Sequence, residues 1–165
     1  MKELEPPDAH FVNAAAGWLE LGLPMEAVAE LSRVSAGTRS HPDVLALEWE
    51  IAARTARWAD ALEIAGRLLE ADHSRPTGWI NRSYALHELA RTQEAHNTLL
   101  DALPRFPSVG VIPYNLACYA CQMGRLEEAR TWLRQAMEKD GRDAVIERAR
   151  TDLDLLPIRS ELDSM

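Results

Sequence analysis

Cys118 and Cys121 are the residues in this chain best suited by type and spacing to chemistry. A C-x-x-C pair can serve as a redox couple or as half of a zinc site. Redox pairs work at a helix N-terminus, where the helix dipole lowers the thiol pKa. A structural zinc needs four ligands. The stretch "CYACQMGRLEEARTWLRQAM" (118–137) reads as helical through both cysteines, so they sit mid-helix without help from the dipole. No second C-x-x-C follows, and His87 is the one further ligand that can be assembled with them. A metal or redox protein built on Cys118 and Cys121 is therefore the lesser alternative, and two small side chains on a helix wall is the preferred reading.

Nothing else in the chain makes a catalytic constellation. His10, His41, His73 and His96 are scattered, and none has a Ser, Cys or Asp partner at triad-like spacing. A Gly-rich phosphate loop, an H-E-x-x-H pair and an EF-hand loop are all absent. The expectation is a protein that is not an enzyme, with no cofactor and no metal.

The elements that carry these residues recur. Stepping back by 34 from Ala129 reaches Ala95, Ala61 and Ala27, each preceded by an acid: Glu128, Glu94, Asp60 and Glu26. Four residues after each alanine stand Leu31, Ala65, Leu99 and Leu133, and three further on Val34, Leu68, Ala102 and Ala136. That spacing draws one apolar stripe along a helix, headed by a side chain small enough for a second helix to approach closely. The acid falls in the first turn, where it complements the helix dipole.

The same interval orders the segment upstream. Phe11, Leu45 and Trp79 fill one column, with Pro113 in the fourth copy. Ala15, Ser83 and Ala117 fill a small-residue column, with Trp49 in the second copy, where Glu48 also replaces an apolar residue. Trp18, Ala52, Leu86 and Ala120 fill a third, and Gly22, Ala56, Ala90 and Gly124 mark a turn. Breaker signals in "SHPD", "HSRPT" and "RFPSVG" separate the copies. Trp49 facing Ala65 suggests a large-for-small exchange that conserves core volume in the second copy.

A 34-residue helix–turn–helix with these columns resembles the tetratricopeptide repeat. Four copies fit at about 8–41, 42–75, 76–109 and 110–143. The third is close to the family pattern, through Trp79, Ser83, Leu86, Ala95, Leu99, Ala102 and Pro107, and the fourth matches as well, through Leu116, Ala117, Gly124, Ala129, Leu133 and Ala136. The resemblance implies an all-α, right-handed solenoid forming a single domain over 1–165, with nine helices in antiparallel pairs. Val145, Ile146, Ala149 and Leu153 form the apolar face of a capping helix stopped by Pro157, and "SELDSM" is expected to be a frayed tail.

The resemblance also implies a partner-binding groove lined by the first helices. Carried onto this sequence, its positions include Asn13, Glu20, Asp43, Glu50, Arg54, Ile80, Asn81, Tyr84, His87, Val111, Tyr114, Asn115, Cys118 and Cys121. The lysine–asparagine–arginine clamp with which some members hold a C-terminal carboxylate is absent, since Val12, Ala16, Leu47, Thr77 and Asn81 stand in its place. Tyr84 and Tyr114 both fall on groove positions and are expected to anchor a ligand from outside the helix-packing core, while Glu63 and Arg130 are expected on the outer face.

Composition sets the remaining bounds. The 165 residues carry a formal net charge of −8 and a pI near 5.1, which counts against nucleic acid, where clustered Lys and Arg must neutralise phosphates. With the 34-residue columns, it also counts against pentatricopeptide RNA readers. No apolar run approaches the roughly 18 residues of a membrane span. The start "MKELEPPDAH" is not a secretory signal, and two nearby cysteines make a poor disulfide framework, so a cytoplasmic location is expected. The function expected from this sequence is a non-catalytic adaptor that binds a peptide segment of a protein partner, with no membrane or nucleic acid involved. The alternatives are a structural module that self-associates as a homo-oligomer and a secretion-type chaperone.

Overall fold

The computed structural model describes residues 3–165 and contains nine α-helices and one 3₁₀ helix among them, with no strand. The chain forms two compact units, 1–85 and 86–165. The first unit contains α1 (Asp8–Glu20), α2 (Pro24–Ser32), α3 (Pro42–Arg54), α4 (Trp58–Ala71) and most of α5 (Pro76–Glu88). The second contains the end of α5, then α6 (Thr92–Ala102), α7 (Val111–Gln122), α8 (Leu126–Asp140), α9 (Arg142–Thr151) and the 3₁₀ helix (Leu156–Ser164).

The second helix of each copy starts at Pro24, Trp58, Thr92 and Leu126, the interval read from the sequence. Each of these helices is entered through the same turn. Gly22, Ala56, Ala90 and Gly124 all have a left-handed backbone, with φ of 74°, 52°, 59° and 74°. The following N–H reaches back five residues in every case: Leu23 to Trp18, Arg57 to Ala52, Arg91 to Leu86 and Arg125 to Ala120, at 2.8–2.9 Å. With the bonds from Gly22, Ala56, Ala90 and Gly124 to the carbonyls three residues back, this is the Schellman motif that satisfies the last carbonyls of a helix.

In the first unit, Ala15 on α1 and Ala27 on α2 share a core with Val12, Leu19, Leu31, Val34, Val44 and Ile51. Asp8 ties the two ends of this pair together: its carboxylate accepts Ser35 N–H at 2.9 Å and Ser35 Oγ–H at 2.6 Å. Ala52 on α3, Ala61 on α4 and Ala85 on α5 form a second cluster, flanked by Trp49, Trp58, Leu62 and Ile64. Trp49 is only half-buried while Ala65 is fully buried. The indole packs against this alanine cluster and meets the Tyr84 ring edge-on, with centroids 6.2 Å apart. Glu48 is half-buried on the same helix, 3.5 Å from Arg67, and burial raises its pKa.

In the second unit, Leu116, Ala117 and Ala120 of α7 and Ala129, Leu133 and Ala136 of α8 have no exposure. Pro113 is tolerated because it falls in the first turn of α7, where its missing N–H is not needed. Val145, Ile146 and Ala149 bury the inner face of α9, as expected.

The chain beyond α9 differs from the expectation. The helix stops at Thr151, six residues before Pro157, because Asp152 takes an extended conformation (φ −76°, ψ 121°). That change of direction turns Leu153 outward, and it is 77% exposed. The residues read as a frayed tail instead form the 3₁₀ helix, which buries Ile158 and Leu162 with Leu155 just ahead of it. Burying one such side chain contributes about 1.5–3 kcal/mol. Arg130, expected on the outer face as an inert residue, instead holds Glu161 through two hydrogen bonds of 2.7 and 2.8 Å.

The turn column yields a prediction. A left-handed backbone costs a residue with a Cβ roughly 1–2 kcal/mol, and glycine's extra unfolded-state freedom offsets part of that. Ala56→Gly and Ala90→Gly should each raise stability in urea unfolding, by about 0.5–1 kcal/mol, and Gly124→Ala should lower it by a similar amount. A loss of stability in both glycine variants would contradict the turn assignment.

Candidate interaction site

In the first unit, the positions expected to line a groove lie on three first helices, α1, α3 and α5. Asn13 and Glu20 are exposed on α1, and Asp43 and Arg54 on α3. Asp43, Ala46 and Thr77 line one small hollow between α3 and α5, of ≈ 40 Å³. Most of the charge here is matched internally. Arg75 lies 3.1 Å from Asp43, and Arg54 donates to Glu50 at 2.7 Å. Arg54 also donates to the Leu19 carbonyl at 2.7 Å, satisfying the last turn of α1. On α5, Ile80 is half-buried and Asn81 buried, whereas Tyr84 is 40% exposed and rests against Trp49 and Trp58.

The corresponding positions in the second unit are occupied by the chain itself. Tyr114 is only 2% exposed, which corrects the expectation that it stands outside the packed core. Its hydroxyl donates to Asp152 Oδ2 at 2.8 Å, and the Arg148 guanidinium lies 3.6 Å from its ring centroid. Cys118 Sγ donates to the same oxygen at 3.6 Å. His87 Nε2 lies 3.1 Å from Asp154 Oδ2, and Gln122 Nε2 donates to the Asp154 carbonyl at 3.1 Å. Cys121 is buried against the Ile158 backbone N–H. Val111 and Asn115 are half-buried.

The electrostatics follow from this closure. Burial, reinforced by the Asp152 hydrogen bond, holds the Tyr114 phenol protonated well above its ordinary range. Burial and the neighbouring Asp152 and Asp154 charges push the Cys118 thiol well up, and burial with Asp154 raises Cys121. Cys118 Sγ and one oxygen each of Asp152 and Asp154 lie within 4.8 Å of one another, a spacing that could hold a cation. Each of these atoms already has a role: Tyr114 and Cys118 donate to Asp152, and His87 pairs with Asp154. The set reads as a hydrogen-bonded clasp.

Among the histidines, His96 is buried, with Nε2 2.8 Å from Glu128 Oε1, which also accepts from Trp132 at 3.1 Å. Burial alone would raise the Glu128 pKa, but these partners hold it below its usual value. The group forms a structural tie between α6 and α8.

No family model matches the sequence, and comparison with curated proteins found no match. Solved structures do match. One is TTC0263, a thermophilic TPR protein of Thermus thermophilus, with TM-score 0.71 and 20% identity over 94% of this chain and 80% of that one. MamA matches with TM-score 0.73 and 12% identity over 84% and 81%. YrrB, described as a TPR protein with an unusual peptide-binding site, matches with TM-score 0.66 and 13% identity over 93% and 84%. The fold is the tetratricopeptide-repeat fold. It belongs to the all-α solenoid class implied by the repeat columns.

Sequence reasoning missed Asp152, Asp154, Gln122, Arg148 and Glu161. One signal was present: Leu155, Ile158 and Leu162 lie at i, i+3 and i+7, a helical stripe that marks the segment as packed.

The closure makes a prediction about the thiols. The thiolate is the reactive form, and both thiols are buried with raised pKa values. A chromogenic disulfide reagent at neutral pH should titrate both cysteines at once in denaturant and far more slowly in the native protein. Rapid native labelling of Cys118 would mean that the segment over α7 is not seated.

Proposed function

We propose that this chain is a non-catalytic protein-interaction module that holds a peptide segment of a partner on the first-helix face of the first unit. The observation that carries the reading is the difference between the two units. Ile80 and Tyr84, backed by Trp49 and Trp58, remain accessible, whereas the matching positions Tyr114 and Cys118 are covered by the chain's own residues. A partly exposed tyrosine on an aromatic bed offers contact area with a polar handle at low entropic cost. Exposed polar groups on the first helices of this unit, Asn13 and Glu20 on α1 and Thr77 on α5, suit a segment with apolar anchors and polar flanks.

Support for the fold-level part comes from the solved structures, one of which is described as having a peptide-binding site. No helix among the described residues is long and apolar enough to cross a membrane. The cytoplasm is the compartment that fits this reading, since two cysteines on one helix offer no disulfide framework.

The test is affinity capture from native lysate with identification of bound proteins. Ile80→Ala with Tyr84→Ala should abolish most capture while helix content is retained, because truncating a hot-spot aromatic often costs about 2 kcal/mol or more. The exposed outer residue Glu63 serves as the control, and Glu63→Ala should leave capture unchanged. If the α5 pair has no effect, the working surface lies elsewhere. The exposed apolar run Leu21, Leu23, Met25 and Val28 would then favour self-association.

A further inference from the structure

The contacts between residues 152–165 and the rest of the second unit go beyond what is needed to cover an apolar face. A simple cap needs only apolar side chains, and Leu155, Ile158 and Leu162 supply them, each at most 1% exposed. Donors of four kinds nevertheless converge on a short stretch of chain: a phenol, a thiol, an imidazole and a carboxamide. The Tyr114 hydroxyl and the Cys118 thiol meet the Asp152 carboxylate, His87 meets the Asp154 carboxylate, and Gln122 meets the backbone carbonyl between that carboxylate and Leu155. Beyond the 3₁₀ helix start, Arg130 takes Glu161 in a two-pronged pair. These contacts read side-chain identity and spacing, as a peptide site does.

The backbone at the entry to this stretch is extended rather than helical, as expected for a docked segment. The segment's bonds to itself are all local: the 3₁₀ helix pairs each residue with the third before it, as in Ile158 N–H to the Leu155 carbonyl at 3.1 Å, and Ser164 Oγ–H donates to the Glu161 carbonyl at 2.7 Å. Asp154 N–H closes onto Asp152 Oδ1 at 3.0 Å and Arg159 reaches the Asp152 carbonyl at 3.1 Å. Ordering the segment costs backbone and side-chain entropy, which opposes the gain from three apolar anchors and a polar clasp. A segment held by such opposing terms can be exchanged for a competing one.

We propose that the α7 face of the second unit is a receptor for acidic peptide segments of the form Asp-x-Asp followed by apolar residues at helical spacing, and that residues 152–165 are its resident, exchangeable occupant. This rests on reading the fold as a peptide-binding one, but of α5 it uses His87 alone and neither Ile80 nor Tyr84, so either can fail alone. The partner is identified by its chemistry: a protein segment carrying two carboxylates two residues apart, with leucine or isoleucine following. Such a partner displaces the resident segment and meets Tyr114, Cys118, His87 and Gln122 in its place.

The probe is a synthetic, isotopically heavy peptide of residues 151–165 added to the full-length protein. A resident segment competes with it at an effective concentration in the millimolar range. A full-length variant carrying Asp152→Asn and Asp154→Asn should therefore bind the peptide at least tenfold more tightly than wild type. A peptide with the same two substitutions should bind that variant at least tenfold more weakly. In wild type, which needs no altered fold, saturating peptide should speed hydrogen exchange in the protein's own 152–165 amides, which peptide mass distinguishes from the probe. Equal binding of the two peptides, or equal affinity of the two proteins, overturns the proposal. So does an unchanged exchange rate at the highest peptide concentration.

Discussion

Alanine at the contact between paired helices is the constraint on which the rest of this structure depends. Ala27, Ala61, Ala95 and Ala129 have no exposed surface. A side chain of that size allows two helix axes to come within the close end of the usual 8–10 Å range. Once the pair is that close, the turn between its helices must be tight, and the left-handed residue at positions 22, 56, 90 and 124 provides it. Glycine takes this conformation without strain, whereas Ala56 and Ala90 adopt it under the constraint of the fold. The contact also fixes which face of each first helix is left to meet something else.

That leftover face is used differently in the two units. In the first it carries Tyr84 on a bed of Trp49 and Trp58, with Asp43 and Glu50 already neutralised by Arg75 and Arg54. In the second it is closed by the chain's own C-terminal segment, which brings two carboxylates to Tyr114, Cys118 and His87. Cys118 and Cys121, the residues that first suggest redox or metal chemistry, are a thiol donor and a buried wall of that closure.

The repeats were legible because their signal is local and recurs four times. Helix starts, turn positions and buried alanines all follow from spacing within one polypeptide stretch. The closure was illegible for the opposite reason. Tyr114 and Asp152 are 38 residues apart, and His87 and Asp154 are 67 apart, neither of which is the repeat interval. The helical period also breaks at Asp152, so carrying it forward put Leu153 on the buried face when it is exposed. Arg130 looked like an ordinary solvent-facing arginine because its partner, Glu161, lies in a segment whose composition resembles a tail. Trp49 was legible as an anomaly in its column, but only packing shows that the indole turns towards Tyr84.

The most direct measurement compares two leucine substitutions on α2, Ala27→Leu and Ala29→Leu, by equilibrium unfolding. Ala27 is fully buried at the contact with α1, and Ala29 is exposed on the same helix. Overpacking a close helix contact costs about 1–3 kcal/mol, whereas an exposed alanine-to-leucine change stays within roughly 0.5 kcal/mol. The account predicts a loss of that size for Ala27→Leu and almost none for Ala29→Leu. Equal stability of the two variants would contradict it, since the repeat register, and every face assigned from it, would then be wrong.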